Sequence, residues 1–174
     1  MRRVVLVLLL ALGCDILDSP GTESDGPAPT PDAPEVSEAA DGIPVELTSV
    51  VDGDTIHVRL EDGSDERVRY IGIDTPEVAH AEGEVSERFG DEATEENRRL
   101  LGDGELRLVL DVEERDRFGR LLAYVYVGEA MVNEALVREG YARTLTIPPN
   151  VRHVDRFREA EREARDANLG LWSR

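Results

Sequence analysis

The segment Val50–Glu77 constrains the fold more than any other stretch of this sequence, because two acidic turns flank a predicted β-hairpin. The turn DGDT at Asp52–Thr55 precedes the first strand of the hairpin, and IDTPE at Ile73–Glu77 follows the second. Two acidic loops on neighbouring strand ends could gather three carboxylates around one cation, and Arg69 beside them could hold an anionic oxygen. Phosphodiester cleavage needs this combination, so the segment predicts a metal-dependent nuclease.

Hydrophobic alternation and turn residues predict five strands in the carboxyl-terminal three quarters of the chain. These strands are Val45–Val51, Thr55–Leu60, Arg67–Ile73, Leu106–Leu110 and Leu121–Val127. Helical spacing of apolar residues predicts three helices, at Glu92–Leu101, Met131–Glu139 and Arg152–Asn168. Five strands with three helices fit an α+β, mainly β domain built on a small five-stranded OB-fold barrel.

The amino terminus has the pattern of an export signal. Arg2 and Arg3 precede the nine-residue apolar run Val4–Leu12, which is too short for a stable transmembrane helix. A buried core helix is a poorer interpretation, because charged and Pro-rich sequence follows at once. Residues 1–14 are therefore predicted to be a signal peptide, and Cys14 ends a lipobox-like segment. The prediction is an exported protein, either a cell-envelope lipoprotein tethered to a membrane through Cys14, periplasmic or at the surface, or a secreted protein.

Residues 15–44 are predicted to be a disordered acidic linker, and residues 45–174 the folded domain. The linker has eight acidic residues, no basic ones and no aromatics, so it cannot bury enough apolar surface to fold. The whole chain has a net charge of −18, which argues against a passive nucleic-acid coat. One cysteine excludes an internal disulfide, and with three histidines it disfavours a closed zinc site. Any metal is therefore expected to be bound through oxygen.

Five segments in order resemble the staphylococcal-nuclease (thermonuclease) family, from about Val45 to Ser173. They are VVDGDT, RYIGIDTPE, DRFGRLLAYVYV, MVNEALVREGYA and NLGLWS. The resemblance implies an OB-fold barrel that binds one Ca²⁺ and cuts DNA and RNA. By position it implies Asp54 and Asp74 as metal ligands with the backbone carbonyl of Thr75, Glu77 as general base, and Arg69 and Arg120 as phosphate ligands. We expect a monomer.

The chemistry of these residue types agrees with those roles. Ca²⁺ takes hard oxygen ligands, a carboxylate can accept a proton from water, and two guanidiniums can bind a phosphate bidentately. Two features depart from the family pattern. Phe118 stands where a tyrosine hydroxyl often contacts the substrate phosphate, and Leu145 and Ile147 occupy the places of aromatics that stack on the nucleotide.

Two other functions remain open from the sequence. One is a non-catalytic OB-fold module that binds nucleic acid or protein; the acidic domain and the missing stacking aromatics favour it. The other is a calcium-buffering surface lipoprotein, which explains the acidity but not the arginine pair. Arg69 and Arg120 beside the acidic turns favour the nuclease. Asp52 and Asp116 are interpreted as structural residues of their turns.

Overall fold

Alternating apolar residues build the longer strands, which form a barrel in the computed structural model; the structure describes residues 38–79 and 86–173. The strands are β1 (Ile43–Val50), β2 (Thr55–Leu60), β3 (Asp65–Tyr70), β4 (Ile73–Asp74), β5 (Leu106–Val109), β6 (Leu121–Val127), β7 (Ala130–Met131) and β8 (Arg143–Thr144). The helices are α1 (Gly90–Leu101), α2 (Val132–Arg138) and α3 (Val154–Asp166).

Five of the strands close on themselves. Their order is β3-β2-β1-β5-β6 with antiparallel neighbours, and a parallel pairing of β3 with β6 completes the barrel. The short strand β7 pairs antiparallel with the end of β6, while β4 and β8 form a separate two-stranded ladder. Within the described residues this confirms the predicted fold, a closed five-stranded OB-type barrel with three helices. Full closure removes the free strand edges that an open sheet would expose.

The barrel is filled by the inward residues of the predicted alternation. Ile56, Val58, Val68 and Leu108 are all fully buried. The helix α3 packs against α2 and β8 with an apolar stripe at helical spacing, whose buried members are Phe157, Ala160 and Ala164. The predicted helix Arg152–Asn168 is slightly too long at both ends, and Ala167, beyond its last residue Asp166, is exposed.

The predicted strand Arg67–Ile73 is wrong in its second half, because the chain turns at Ile71 and Gly72. The strand β3 ends at Tyr70. Gly72 has φ 81°, in the left-handed region that residues other than glycine rarely adopt. Ile73 and Asp74 then pair with Thr144 and Arg143 as the separate strand β4. The corner redirects the chain, so that Asp74 does not continue along the barrel wall.

Gly72→Ala should destabilise the protein strongly. A Cβ at this position would overlap the ring of buried Phe157, and the left-handed backbone adds about 1–2 kcal/mol of strain. Gly63→Ala is the matched control, because Gly63 has φ 85° but nothing within 4 Å of an added Cβ. Urea denaturation should show a loss of about 1 kcal/mol for Gly63→Ala and at least about twice that for Gly72→Ala. Equal losses would show that Phe157 yields without cost.

The folded part begins earlier than predicted. Residues Glu38–Asp41 form a 3₁₀ helix and β1 starts at Ile43, so the predicted linker of residues 15–44 extends too far. Glu38 accepts hydrogen bonds from Arg152 (2.7 Å) and the Tyr126 hydroxyl (3.0 Å), and Ala39 is buried. These long-range contacts order a segment whose composition is that of a linker. The rest of the linker and the predicted signal peptide with Cys14 lie outside the described residues.

Among the residues with described structure, no helix combines the length and the apolar character that crossing a bilayer requires.

Candidate functional site

The register of the β2–β3 hairpin brings the two acidic turns together. Thr55, the first residue of β2, pairs with Arg69, which is the last residue but one of β3. The carbonyl of Asp54 accepts a hydrogen bond from the backbone N–H of Tyr70 at 2.9 Å. The DGDT turn before β2 and the segment after β3 therefore meet at one end of the hairpin, as the sequence predicted.

Arg69 is the centre of this meeting point. Its Nη1 lies 2.6 Å from Oδ2 of Asp54, and its Nη2 donates to Oδ1 of Asp74 at 2.8 Å. Nη1 also donates to the Ile73 carbonyl at 3.2 Å. The two carboxylates that sequence analysis assigned to a cation site thus converge on a single guanidinium.

Asp54 is held in a buried position by the second turn. Its Oδ2 accepts hydrogen bonds from the Thr75 backbone N–H (2.9 Å) and hydroxyl (3.0 Å), and Oδ1 accepts one from Thr55 (3.1 Å). Burial raises the pKa of Asp54 to about 6, against the opposing effect of Arg69. Asp74 is different, with about half of its side chain exposed. The pair therefore combines one fixed, desolvated carboxylate with one that faces water.

A buried polar chain fixes the turn that carries Asp54. The Tyr70 hydroxyl donates to Oδ1 of Asn97 at 2.9 Å, and Nδ2 of Asn97 donates to the Asp52 carbonyl at 3.0 Å. Oδ1 of Asp52 in turn accepts the backbone N–H of Asp54 at 3.0 Å. This confirms the structural interpretation of Asp52. Asn97 lies on the buried face of α1 among apolar residues, and a polar residue at such a position is the available sequence signal of a buried hydrogen bond.

Tyr70→Phe should loosen this turn while leaving the packing intact. It removes the hydroxyl that orients Asn97, so the stability should fall by about 1–2 kcal/mol and the Asp54 backbone N–H should exchange faster with solvent. Tyr126→Phe is the matched control, because Tyr126 is equally buried but its hydroxyl donates to Glu38. Hydrogen exchange followed by NMR would decide. Unchanged protection of Asp54 in Tyr70→Phe would show that the turn holds without this chain.

Arg120 is oriented by its own turn. Oδ2 of Asp116 accepts a hydrogen bond from Arg120 Nε at 2.7 Å, and Oδ1 accepts the Arg120 backbone N–H at 3.0 Å. Burial acts to raise the pKa of Asp116, but the bonds from Arg120 outweigh it, so this pKa lies below its usual value. Asp116 is therefore more than the turn residue that the sequence suggested, because it also sets the direction of the guanidinium.

Arg69 and Arg120 line one cleft of about 450 Å³. Its wall also contains Arg117 and the exposed Phe118, Leu145 and Ile147, so the cleft joins three cationic groups to an apolar surface. Arg117 and Arg120 lie over the Phe118 ring, with their Cζ atoms 4.7 Å and 5.6 Å from its centroid. An anion with an attached apolar or flat group is the kind of ligand that such a cleft suits.

Glu77 is placed differently from the other predicted site residues. Its side chain is exposed, and within the described residues it neither lines the cleft nor contacts the two arginines. Its backbone carbonyl accepts the N–H of Glu87 at 2.8 Å, which anchors the chain after the Thr75–Pro76 turn. The structure thus brings together Asp54, Asp74, Thr75 and Arg69, adds Arg120 through the cleft, and leaves the Glu77 carboxylate in water nearby along the chain.

The oxygen atoms at this end of the hairpin fit a hard cation. Two carboxylates and a nearby backbone carbonyl are hard ligands, and a cation beside Asp54 would offset the desolvation that raises its pKa. Within residues 38–79 and 86–173, however, no group of three His, Cys, Asp or Glu side chains is arranged to hold a metal. Water or a bound anion would therefore have to supply the remaining ligands.

Comparison with known proteins matches this chain to one family model and to several named relatives. A family model described as staphylococcal nuclease homologue matches residues 67–174. The chain is 40% identical over 124 residues to a thermonuclease of Staphylococcus hyicus. That match covers 71% of this chain and 72% of the thermonuclease. It is 41% identical to two Bacillus subtilis (strain 168) proteins, endonuclease YncB and the SPbeta prophage-derived endonuclease YokF. These matches cover 75% and 76% of this chain but only 62% and 45% of the two relatives.

Proposed function

We propose that this chain, which belongs to the staphylococcal nuclease homologue family, is a calcium-dependent nuclease that hydrolyses phosphodiester bonds in DNA and RNA. The observation that carries the proposal is the shared cleft of Arg69 and Arg120, with Asp54 and Asp74 converging on Arg69 at its edge. The names of the relatives, thermonuclease and endonuclease, support the same activity.

The two arginines would bind the scissile phosphate. Asp116 takes only Nε of Arg120, so within the described residues both terminal nitrogens of that guanidinium remain for a substrate oxygen. Arg69 is paired with two carboxylates, and a phosphate would exchange with the more exposed one, Asp74. Two guanidiniums can share the negative charge that grows on the phosphate oxygens in the transition state.

Asp54, Asp74 and the Thr75 carbonyl would hold the calcium ion. When bound, the ion polarises a phosphate oxygen and favours deprotonation of a neighbouring water. The chain's own contribution is to hold these oxygens in place, since Thr75 fixes the Asp54 carboxylate through two hydrogen bonds and Asp52 fixes its backbone. Calcium tolerates irregular geometry and several water ligands, which suits a site with few protein ligands.

Glu77 is proposed as the group that removes a proton from the attacking water. The support is that its carboxylate is exposed to water and follows directly after the Thr75–Pro76 turn, next along the chain to the proposed metal ligands. Arg69 and Arg120 are proposed to bind only the phosphate and not the sugar, which is where DNA and RNA differ. Both DNA and RNA should therefore be cut. The apolar wall of Phe118, Leu145 and Ile147 offers a base a surface but fewer aromatic faces than the family pattern, and we propose a monomeric enzyme with weak base preference.

The full chain incubated with single-stranded DNA and with RNA tests this function directly. Cleavage is expected with calcium and should stop when a chelator is added, with activity returning on recalcification. If the folded protein cuts neither substrate with any divalent ion yet binds DNA, the non-catalytic binding module is the correct function. Cleavage that persists in chelator would contradict the metal requirement.

We also propose export and attachment of the mature protein to a membrane through Cys14. The support is the sequence alone, in which the basic residues Arg2 and Arg3, the apolar run Val4–Leu12 and then Cys14 follow one another. Mass spectrometry of the native amino terminus should find a lipidated Cys14. An unprocessed Met1 would contradict the proposal, and an unmodified cleaved terminus would indicate secretion without an anchor.

A further inference from the structure

We infer that Arg67 and His57 form a second phosphate subsite next to the cleft, which binds the phosphate adjacent to the scissile one in a polynucleotide. This inference rests on the proposed nuclease function and narrows its substrate class to chains with at least two successive phosphates.

The sheet places this subsite in line with Arg69. Arg67 and Arg69 are two residues apart on β3, so they point to the same face about 7 Å apart along the strand. Their partners on β2 are His57 and Thr55, which lie on that face as well. A spacing of this size is close to the separation of successive phosphates in an extended nucleic-acid strand. A phosphate bound at Arg69 therefore has its neighbour within reach of Arg67.

A second cleft provides the space. It has a volume of about 310 Å³ and is lined by Arg67, Phe118, Gly119 and Arg120. Phe118 and Arg120 also line the larger cleft that contains Arg69, so the two clefts adjoin at these residues. A polynucleotide can run from one to the other past the exposed Phe118 ring, which is a surface for a base.

Charge pairing separates Arg67 from its neighbours on the sheet. The adjacent arginines are neutralised, with Arg59 bound to Asp65 at 2.9 Å and Arg115 to Glu66 at 2.6 Å. Arg67 is exposed and has no ion pair with any residue in the described ranges 38–79 and 86–173. The chain has nearly twice as many acidic as basic residues, yet Arg67 is exposed, lines a cleft and is paired with no carboxylate among the described residues. Its guanidinium is therefore available to an external anion.

His57 is the second residue of the subsite, and the neutralised pair of Arg59 and Asp65 marks its limit. The exposed imidazole of His57 stands directly across from Arg67 and can donate a hydrogen bond to a phosphate oxygen. One cross-strand pair further along the same face, Arg59 and Asp65 neutralise each other. The cationic track on this sheet therefore has room for one phosphate beyond the scissile one.

Arg67→Ala tests the subsite by comparing two substrates. One is a long single-stranded DNA, and the other is the dinucleotide TpT, whose single phosphate is the scissile one. For the long substrate the variant should raise KM about tenfold with kcat unchanged, because one charge-assisted phosphate contact is lost. The salt dependence of log KM should fall by about one unit of slope. Both parameters for TpT should stay as in the wild type.

Two further variants make the comparison specific. Arg158→Ala removes an exposed arginine of α3 that pairs with Asp155, and it should change neither substrate's KM. Arg67→Lys should recover most of the affinity for the long DNA, since it keeps the charge. Equal effects of Arg67→Ala on both substrates, or no effect on the long DNA, would overturn the inference.

Binding in chelator separates this inference from the proposed function. Fluorescence anisotropy with the long DNA should show about tenfold weaker binding and a smaller salt slope for Arg67→Ala than for Arg158→Ala. A wild-type protein that cuts neither substrate overturns the nuclease proposal, and the binding comparison still tests the subsite. Identical binding by the two variants refutes the subsite even if the enzyme is active.

Discussion

Glu77→Gln is expected to lower kcat for DNA cleavage by about 10²-fold to 10⁴-fold, with folding unchanged. Glutamine has nearly the same shape as glutamate but cannot accept the proton of the attacking water. The side chain is exposed, and no contact within the described residues depends on it, so the amide costs the fold nothing. KM should change little, because the phosphate is bound by Arg69 and Arg120.

The matched control is Glu61→Gln. Glu61 is an exposed carboxylate in the turn that joins β2 to β3, at the opposite end of the hairpin from Asp54. The substitution Glu61→Gln changes the net charge by the same amount as Glu77→Gln, so it controls for any general effect of charge on DNA binding. Steady-state cleavage rates and thermal unfolding of both variants give the comparison. A Glu77→Gln enzyme with wild-type kcat would assign the proton to another group.

The fold could be predicted in outline because the residue patterns that specify its strands and helices are local in sequence. Alternation in β2 and β6 and helical spacing in α3 are readable from single segments, and the family resemblance orders them. The corner at Gly72 was not predicted, although the glycine was visible in the sequence. Glycine is required there because the backbone has a positive φ and because the ring of Phe157, some 85 positions later in the chain, occupies the space that a side chain would need. Long-range packing of this kind has no local signature.

The candidate site divides in the same way. The meeting of Asp54, Asp74 and Arg69 follows from hairpin register, which is why sequence reasoning could anticipate it. The contacts that hold these residues in place come from distant parts of the chain. Asn97 reaches the Asp52 carbonyl from a helix that starts only at Gly90, and no periodicity in the sequence specifies that partner. The same reason explains Glu38, whose ion pair with Arg152 extends the folded part into an acidic stretch.

The two arginines of the cleft should differ in what their loss does to the fold. Arg69→Ala and Arg120→Ala should each reduce kcat by about 10²-fold to 10³-fold, because each removes a donor to the phosphate in the transition state. Arg69 is largely buried and neutralises the buried carboxylate of Asp54. Its removal should also lower stability by about 3 kcal/mol, the cost of leaving a buried charge without its partner. Arg120 and Asp116 are more exposed, so Arg120→Ala should cost less than about 1 kcal/mol.

The double variant Arg69→Ala with Asp54→Asn isolates the cause of that loss. Asparagine is neutral, its oxygen can still accept the Thr75 hydrogen bonds, and its amide can donate to the Thr55 hydroxyl. Relative to Arg69→Ala alone, the double variant should therefore regain more than half of the lost stability while remaining inactive. Urea denaturation in chelator measures this without interference from bound metal. If Asp54→Asn gives no recovery, Arg69 stabilises the protein through packing of its side chain, and the unpaired carboxylate is not the source of the loss.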